Sequence, residues 1–322
     1  MRAEGRNDMS RNTRALRRPG RRAAVAAGLV LAVGLGVSTQ AVAQAAAPIP
    51  AKASTAASAA ASAKATAAPR SITGFNGDLV TQTADFYGAY IDAKDDGAGP
   101  DTKLAKALRT HYLAPAFAKR LAAWEKKNNV DGVLRAQNVP VEWTVSEGRN
   151  GLDVIVSLTY GGGESPTTTT RFVVKHEVLG GITDIRPTSA APTKPSAAKR
   201  SVSGRTGDSV TRIADFYGAY VDAKDGAENP DTKLAKALRT HYLAPAFAKR
   251  LTAWEKKNNV DGVLRAQNVP VDWTVSEGRN SREIRVTHAF GGGETPTVTT
   301  DLVVKLEPVS GDVTDIRRTS TH

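Results

Sequence analysis

Two histidines, each followed by a tyrosine, are the residues in this chain best suited to move a proton. They are His111 before Tyr112 and His241 before Tyr242. A histidine at the mouth of a pocket can act as a general base, because its pKa lies near neutrality. His111 follows Leu108 by three residues, on the edge of an apolar stripe. There the ordinary reading is a partly buried structural histidine bonded to backbone. No His-x-x-x-His spacing and no second histidine in the repeated block supports a metal site. The absence of cysteine removes disulfides, thiol nucleophiles and cysteine metal sites together. No Gly-x-Ser-x-Gly elbow occurs, and Gly161-Gly162-Gly163 lacks both a following helix and the Gly-Lys-Ser/Thr ending of a phosphate loop. No catalytic residue and no cofactor are therefore assigned.

Bulky aromatics at inward positions are the candidates for lining a cavity. Tyr87, Tyr90, Trp124 and Trp143, with their counterparts Tyr217, Tyr220, Trp254 and Trp273, join His111 and His241 as the candidate ligand-binding set. Core packing is the bland alternative for them. A cavity lined by such residues suits a sugar or another small amphipathic molecule. Asp85 and Asp92, seven apart, share a helix face with Asp78 that is expected to be solvated. Arg135, Gln137 and Asn138 precede the first predicted strand, and Glu147-Gly148-Arg149-Asn150 follows it, so both runs fall in loops at strand ends.

The elements that must position these residues are written twice. Pro100 to Asn150 recurs as Pro230 to Asn280 with two differences, Ala122 against Thr252 and Glu142 against Asp272. Looser similarity extends on both sides, as in a duplicated globular domain rather than a solenoid. In each repeat a helix over Asp78 to Lys94 carries Leu79, Val80, Phe86, Tyr87, Tyr90 and Ile91 on one face. Asp101 is the predicted N-cap of a second helix, and Pro115 opens a third at a first-turn position. The period then changes to two: Val141, Trp143 and Val145 alternate with polar residues, as do Val154, Val156, Leu158 and Tyr160. Two further strands complete a meander. The expected class is α+β, with two to three N-terminal helices packed on a four-stranded antiparallel sheet in each repeat.

A helix with Phe86, Tyr87 and Tyr90, a break at Tyr112, Leu113 and Pro115, and the run Val133 to Trp143 stand ahead of four strands. On these residues the chain resembles a bacterial exported-domain family of uncharacterised function. In element order it is similar to the nuclear-transport-factor-2-like, or cystatin-like, cone superfamily. The resemblance implies a cone-like α+β fold in both repeats. It does not select a function, because that superfamily holds isomerases, dehydratases and binding modules.

Charge must be located before it is interpreted. Of the formal +12, residues 1–43 carry +6, residues 44–70 carry +3 and residues 188–206 carry +4, leaving the repeats at −1. A nucleic-acid reader concentrates positive charge on its folded face, so none is expected as partner. Weak contact of the basic linkers with anionic cell-wall polymers is the minority reading. Met1 to Arg22 holds eight arginines, Ala23 to Val37 is apolar, and small residues follow to Ala45. That order is a secretory signal peptide cut after Ala43 or Ala45, and the apolar run falls short of the ~20 residues that span a bilayer. Arg17-Arg18 and Arg21-Arg22 hint at twin-arginine export, without the rest of that motif.

The expected organisation is a signal peptide at 1–43, an Ala/Ser-rich spacer at 44–70, repeats at 71–187 and 207–322, and a basic linker at 188–206. The functional expectation is a secreted tandem binding protein whose partner is a small molecule or another protein. The alternative is a cone-fold hydratase, isomerase or hydrolase using His111 or His241. The repeats can also pair as an intramolecular pseudo-dimer, sheet against sheet.

Overall fold

A computed structural model describes residues 70–95, 101–162, 165–178, 181–189, 200–225, 231–280, 282–292 and 295–319. The expected signal peptide, nearly all of the spacer and most of the linker lie outside the described residues. In the first repeat the order is β1 (Ser71–Phe75), α1 (Leu79–Lys94), α2 (Thr102–Tyr112), α3 (Pro115–Asn128), β2 (Glu142–Glu147), β3 (Asp153–Gly162), β4 (Ser165–His176) and β5 (Ile182–Pro187). The second runs β6 (Ser201–Arg205), α4 (Ser209–Lys224), α5 (Thr232–Tyr242), α6 (Pro245–Asn258), β7 (Asp272–Glu277), β8 (Glu283–Gly292), β9 (Thr295–Leu306) and β10 (Val313–Arg318). The described chain is α+β, with six helices and two antiparallel sheets of five strands each. No described helix is long and apolar enough to cross a membrane.

Local chemistry sets the helix limits. Asp78 caps α1 by accepting from the Thr81 N–H at 3.0 Å, and Asp101 caps α2 through Lys103 and Leu104. Each satisfies backbone donors that a first turn leaves without partners. Pro115 opens α3, and Asn129 ends it in the left-handed region at φ 52°.

The four-stranded expectation is corrected by a fifth strand in each sheet, contributed by the other repeat. One sheet is ordered β5-β4-β3-β2-β6 and the other β1-β7-β8-β9-β10. Ser201–Arg205, inside the stretch read as linker, is therefore a strand on the open edge of β2, and Ser71–Phe75 occupies the matching edge of β7. Gly74 pairs with Trp273 and Gly204 with Trp143. A Cβ on either glycine would overlap the indole it faces, so each exchanged strand needs glycine where the other repeat's tryptophan lies on it. Both tryptophans are 2% exposed. Burying a large apolar side chain contributes about 1.5–3 kcal/mol, so each indole ties a strand to the repeat that did not supply it.

Helices also join the repeats. Helix α1 packs on α4 and α2 on α5, so the contact runs through helices and exchanged strands rather than sheet against sheet. This corrects the reading of Asp85 and Asp92 as a solvated face. Asp85 is 3% exposed and Asp92 6%, because α4 covers that side of α1.

Where the repeats diverge inside the core, polar positions change in pairs. In the first repeat Thr83 Oγ1 and His176 Nε2 are hydrogen-bonded at 2.9 Å; the second has Ile213 and Leu306 at those positions. Tyr160 donates to the Leu134 carbonyl at 2.9 Å, whereas the second repeat has Phe290 there and a buried His288 in place of Leu158. The His288 ring lies 5.2 Å from that of Tyr217 and beside the Leu264 carbonyl, without reaching hydrogen-bond geometry. Burial pushes its pKa down to about 4, so the ring is neutral.

Candidate functional site

The turn after α3 is built around one carboxylate. Asp131 accepts from the N–H groups of Val133 and Leu134 at 2.9 and 3.0 Å, from the Tyr90 hydroxyl at 2.8 Å, and pairs with Lys94 at 3.0 Å. Burial opposes ionisation, yet the Leu134 N–H, Tyr90 and Lys94 together hold Asp131 below the usual carboxylate range. Glu125 accepts from Arg109 and from the Gly132 N–H, at 2.8 and 2.7 Å. These bonds pin the segment that carries Gln137 and Asn138 against the ends of α1 and α3.

The result is an open cleft of about 460 Å³ lined by Lys94, Arg109, Glu125, Asp131, Gln137 and Asn138. The second repeat forms the same cleft at about 820 Å³ from Lys224, Arg239, Glu255, Asp261, Gln267 and Asn268, and there it extends to Asp225. Its charges pair in the same way, Arg239 with Glu255 at 2.8 Å and Lys224 with Asp261 at 3.2 Å. The paired charges therefore cancel in both clefts, and Asp225 leaves the second with one carboxylate in excess. Exposed carboxamides remain at the mouths: Asn129, Gln137 and Asn138, with Asn259, Gln267 and Asn268. Each carboxamide offers two donors and an acceptor, the chemistry that reads hydroxyls and amides.

The aromatic candidates do not converge on one cavity. Tyr87, Tyr217, Trp143 and Trp273 are core residues. Tyr90 and Tyr220 are buried as well, with hydroxyls on Asp131 and Asp261 behind the clefts. Tyr220 also lines an adjoining cleft of about 430 Å³. Trp124 and Trp254 are half-buried, each covered by a guanidinium, Arg135 at 3.9 Å and Arg265 at 4.0 Å. Trp254 and Arg265 line a further cleft of about 590 Å³ with Arg317 and Arg318.

His111 and His241 sit at the contact between repeats. His111 Nδ1 lies 3.3 Å from Asp231, the cap of α5, and His241 Nδ1 lies 3.3 Å from Asp101, the cap of α2. The side chains are 22% and 2% exposed. Burial lowers the His111 pKa, with Asp231 opposing. Neither histidine lines any cleft described here. Among the described residues no group of three or more His, Asp or Glu is arranged to hold a metal ion.

Sequence reasoning placed Gln137 and Asn138 in a loop at a strand end but missed Arg109, Glu125 and Asp131. Asp131 had a local signal, since an Asp followed by Gly after a helix stop commonly accepts from the next N–H groups. Arg109 and Glu125 had none, because their pairing depends on how α2 crosses α3. The chain matches no protein-family model, no curated protein and no solved structure.

Proposed function

We propose that the chain is an exported, non-catalytic binding protein whose two equivalent clefts each take an uncharged, hydrogen-bonding ligand. A neutral oligosaccharide is the class to test first. The observation that carries this reading is that every cation of both clefts is paired with a carboxylate, which leaves no excess positive charge and carboxamides at the mouth. A cleft with no excess positive charge favours hydroxyls and amides over phosphate or carboxylate, whose charge would have no complement. Two copies of one site on one chain suit a repeating polymer, since a second engagement can raise apparent affinity by about 10²–10⁴. Export rests on the basic, apolar and small-residue order of residues 1–45. The reading takes each repeat as one cystatin-like unit, supported by its order of three helices and then four strands. A hydratase, isomerase or hydrolase built on His111 gains no support from a histidine directed at Asp231.

The test is cosedimentation of the full chain with insoluble cellulose, chitin and starch. A Gln137→Ala/Gln267→Ala variant and an anionic polymer serve as controls. Retention by a neutral polymer that the variant loses supports the reading. Retention by the anionic polymer alone, or equal retention of the variant, contradicts it.

A further inference from the structure

The carboxyls between α1 and α4 take no part in the clefts. Asp85 and Asp92 come from α1, and Asp215 and Asp222 from α4. The first three are buried and Asp222 is partly buried. The Asp85 carboxyl rests on Gly218 and that of Asp215 on Gly88, where a Cβ would overlap them. Asp85 Oδ2 is buried with no hydrogen-bond partner among the described residues. Tyr112 of α2 donates to Asp222 at 2.6 Å, and Tyr242 of α5 donates to Asp92 at 2.8 Å. One cation faces the group from within the pair of helices: Arg212, 3.8 Å from Asp92 and equally far from Asp312 in the β9–β10 turn. Its guanidinium also lies over the Tyr242 ring at 4.8 Å.

The other charges around the seam are of both signs. Asp78 and Asp208 cap the two helices and pair with Arg200 at 3.3 Å and Arg70 at 2.9 Å. Asp95 and Asp225 follow the helix ends, and Arg70 also acts on Asp215 from beyond β1. The α2–α5 contact adds the pairs His111–Asp231 and His241–Asp101. Ionising a buried carboxyl without a partner is strongly unfavourable, and within the helix pair the four acids face one guanidinium, Arg212, with Arg70 reaching only Asp215 from outside.

We propose that the α1–α4 seam is a proton-operated clasp: it closes the two repeats on each other while its carboxyls are protonated and loosens when they ionise. The exchanged strands β1 and β6 keep the repeats joined in either state, so the expected change is local opening of the helix layer.

Burial raises Asp92 to about 6, with Arg212 and Tyr242 opposing, and Asp222 to about 7, with Tyr112 opposing. Burial and neighbouring aspartates push Asp85 and Asp215 well above the usual range. An acid whose folded pKa is raised adds stability that is complete below its unfolded value of about 4. That stability is lost as pH rises through 6 and 7 and beyond. His111 and His288 have lowered values, so they act in the opposite sense, losing stability as pH falls. The sign of the dependence therefore separates the clasp from the histidines.

The test is amide hydrogen exchange and thermal unfolding of the full chain between pH 5 and pH 8, with exchange corrected for its intrinsic pH dependence. The expected result is an opening constant for α1 and α4 that rises up to about tenfold per pH unit for each carboxyl that ionises, while β3–β4 amides stay protected. An Asp85→Asn/Asp215→Asn variant is expected to reduce that slope. Flat wild-type behaviour, an unchanged slope in the variant, or a uniform loss of protection in helices and sheets would overturn the proposal. If the variant does not fold, a carbon-13 carboxyl titration of the wild-type chain decides. Asp85 and Asp215 titrating well above 4 supports the clasp, and ordinary values overturn it.

Discussion

The hydroxyl of Tyr112 donates to the carboxyl of Asp222 at 2.6 Å, joining two residues 110 positions apart and on different sequence repeats. Its counterpart, Tyr242 to Asp92 at 2.8 Å, makes the relationship reciprocal. A buried carboxyl with one strong donor depends on that donor more when it is ionised than when it is protonated. Replacing Tyr112 with Phe is expected to destabilise the chain by about 1 kcal/mol at pH 5 and about 2–3 kcal/mol at pH 8. Urea unfolding at the two pH values checks this; an equal penalty at both contradicts it.

Gly74 and Gly204 lie under Trp273 and Trp143 on the exchanged strands. A methyl at either site must displace an indole that has little room to move. Gly204→Ala is expected to cost about 1–3 kcal/mol. The same change at exposed Gly151, with nothing within 4 Å of an added Cβ, serves as control and is expected to cost far less. Paired denaturation curves distinguish the two.

Thr83 and His176 form a buried polar pair where the second repeat has Ile213 and Leu306. Removing one partner leaves the other's polar atom buried without its hydrogen bond, whereas replacing both removes the requirement. Thr83→Ile and His176→Leu should each destabilise by about 1–3 kcal/mol, and the double substitution by less than their sum. A double-mutant cycle reads the coupling, and additivity would show that the pair is not a unit.

A single repeat lacks the strand that covers its β2 edge and the helix that covers Asp85. Residues 71–187 expressed alone still carry β1, Gly74 and Gly88, so two copies can supply each other's missing parts. The expected product is a dimer, measured by light scattering on a sizing column. A stable monomer with full secondary structure would contradict the structural role given to strand exchange.

The elements legible in the sequence are those whose causes are local. Asp101 caps its helix, Pro115 begins α3, and Trp143 and Val145 alternate inward along β2, whereas Asp78, read as helical, is the cap before α1. Strands β1 and β6 were not legible, because five residues with one inward apolar side chain and one inward glycine give no periodic signal. Asp85 and Asp92 do share one face, as their spacing requires, but whether that face meets solvent is decided by another helix about 130 residues away. Of the cleft, the amides of Gln137 and Asn138 were visible as loop residues, while the ion pairs behind them exist only once α1, α2 and α3 are packed.

The most direct test of the binding function is a nitrogen-15 NMR titration of the full chain with soluble neutral oligosaccharides, following side-chain carboxamide signals. The account predicts saturable shifts at Asn129, Gln137 and Asn138 and at Asn259, Gln267 and Asn268, with the exposed Asn150 and Asn280 unmoved. Shifts confined to residues outside both clefts, or none at saturating concentration, would contradict it.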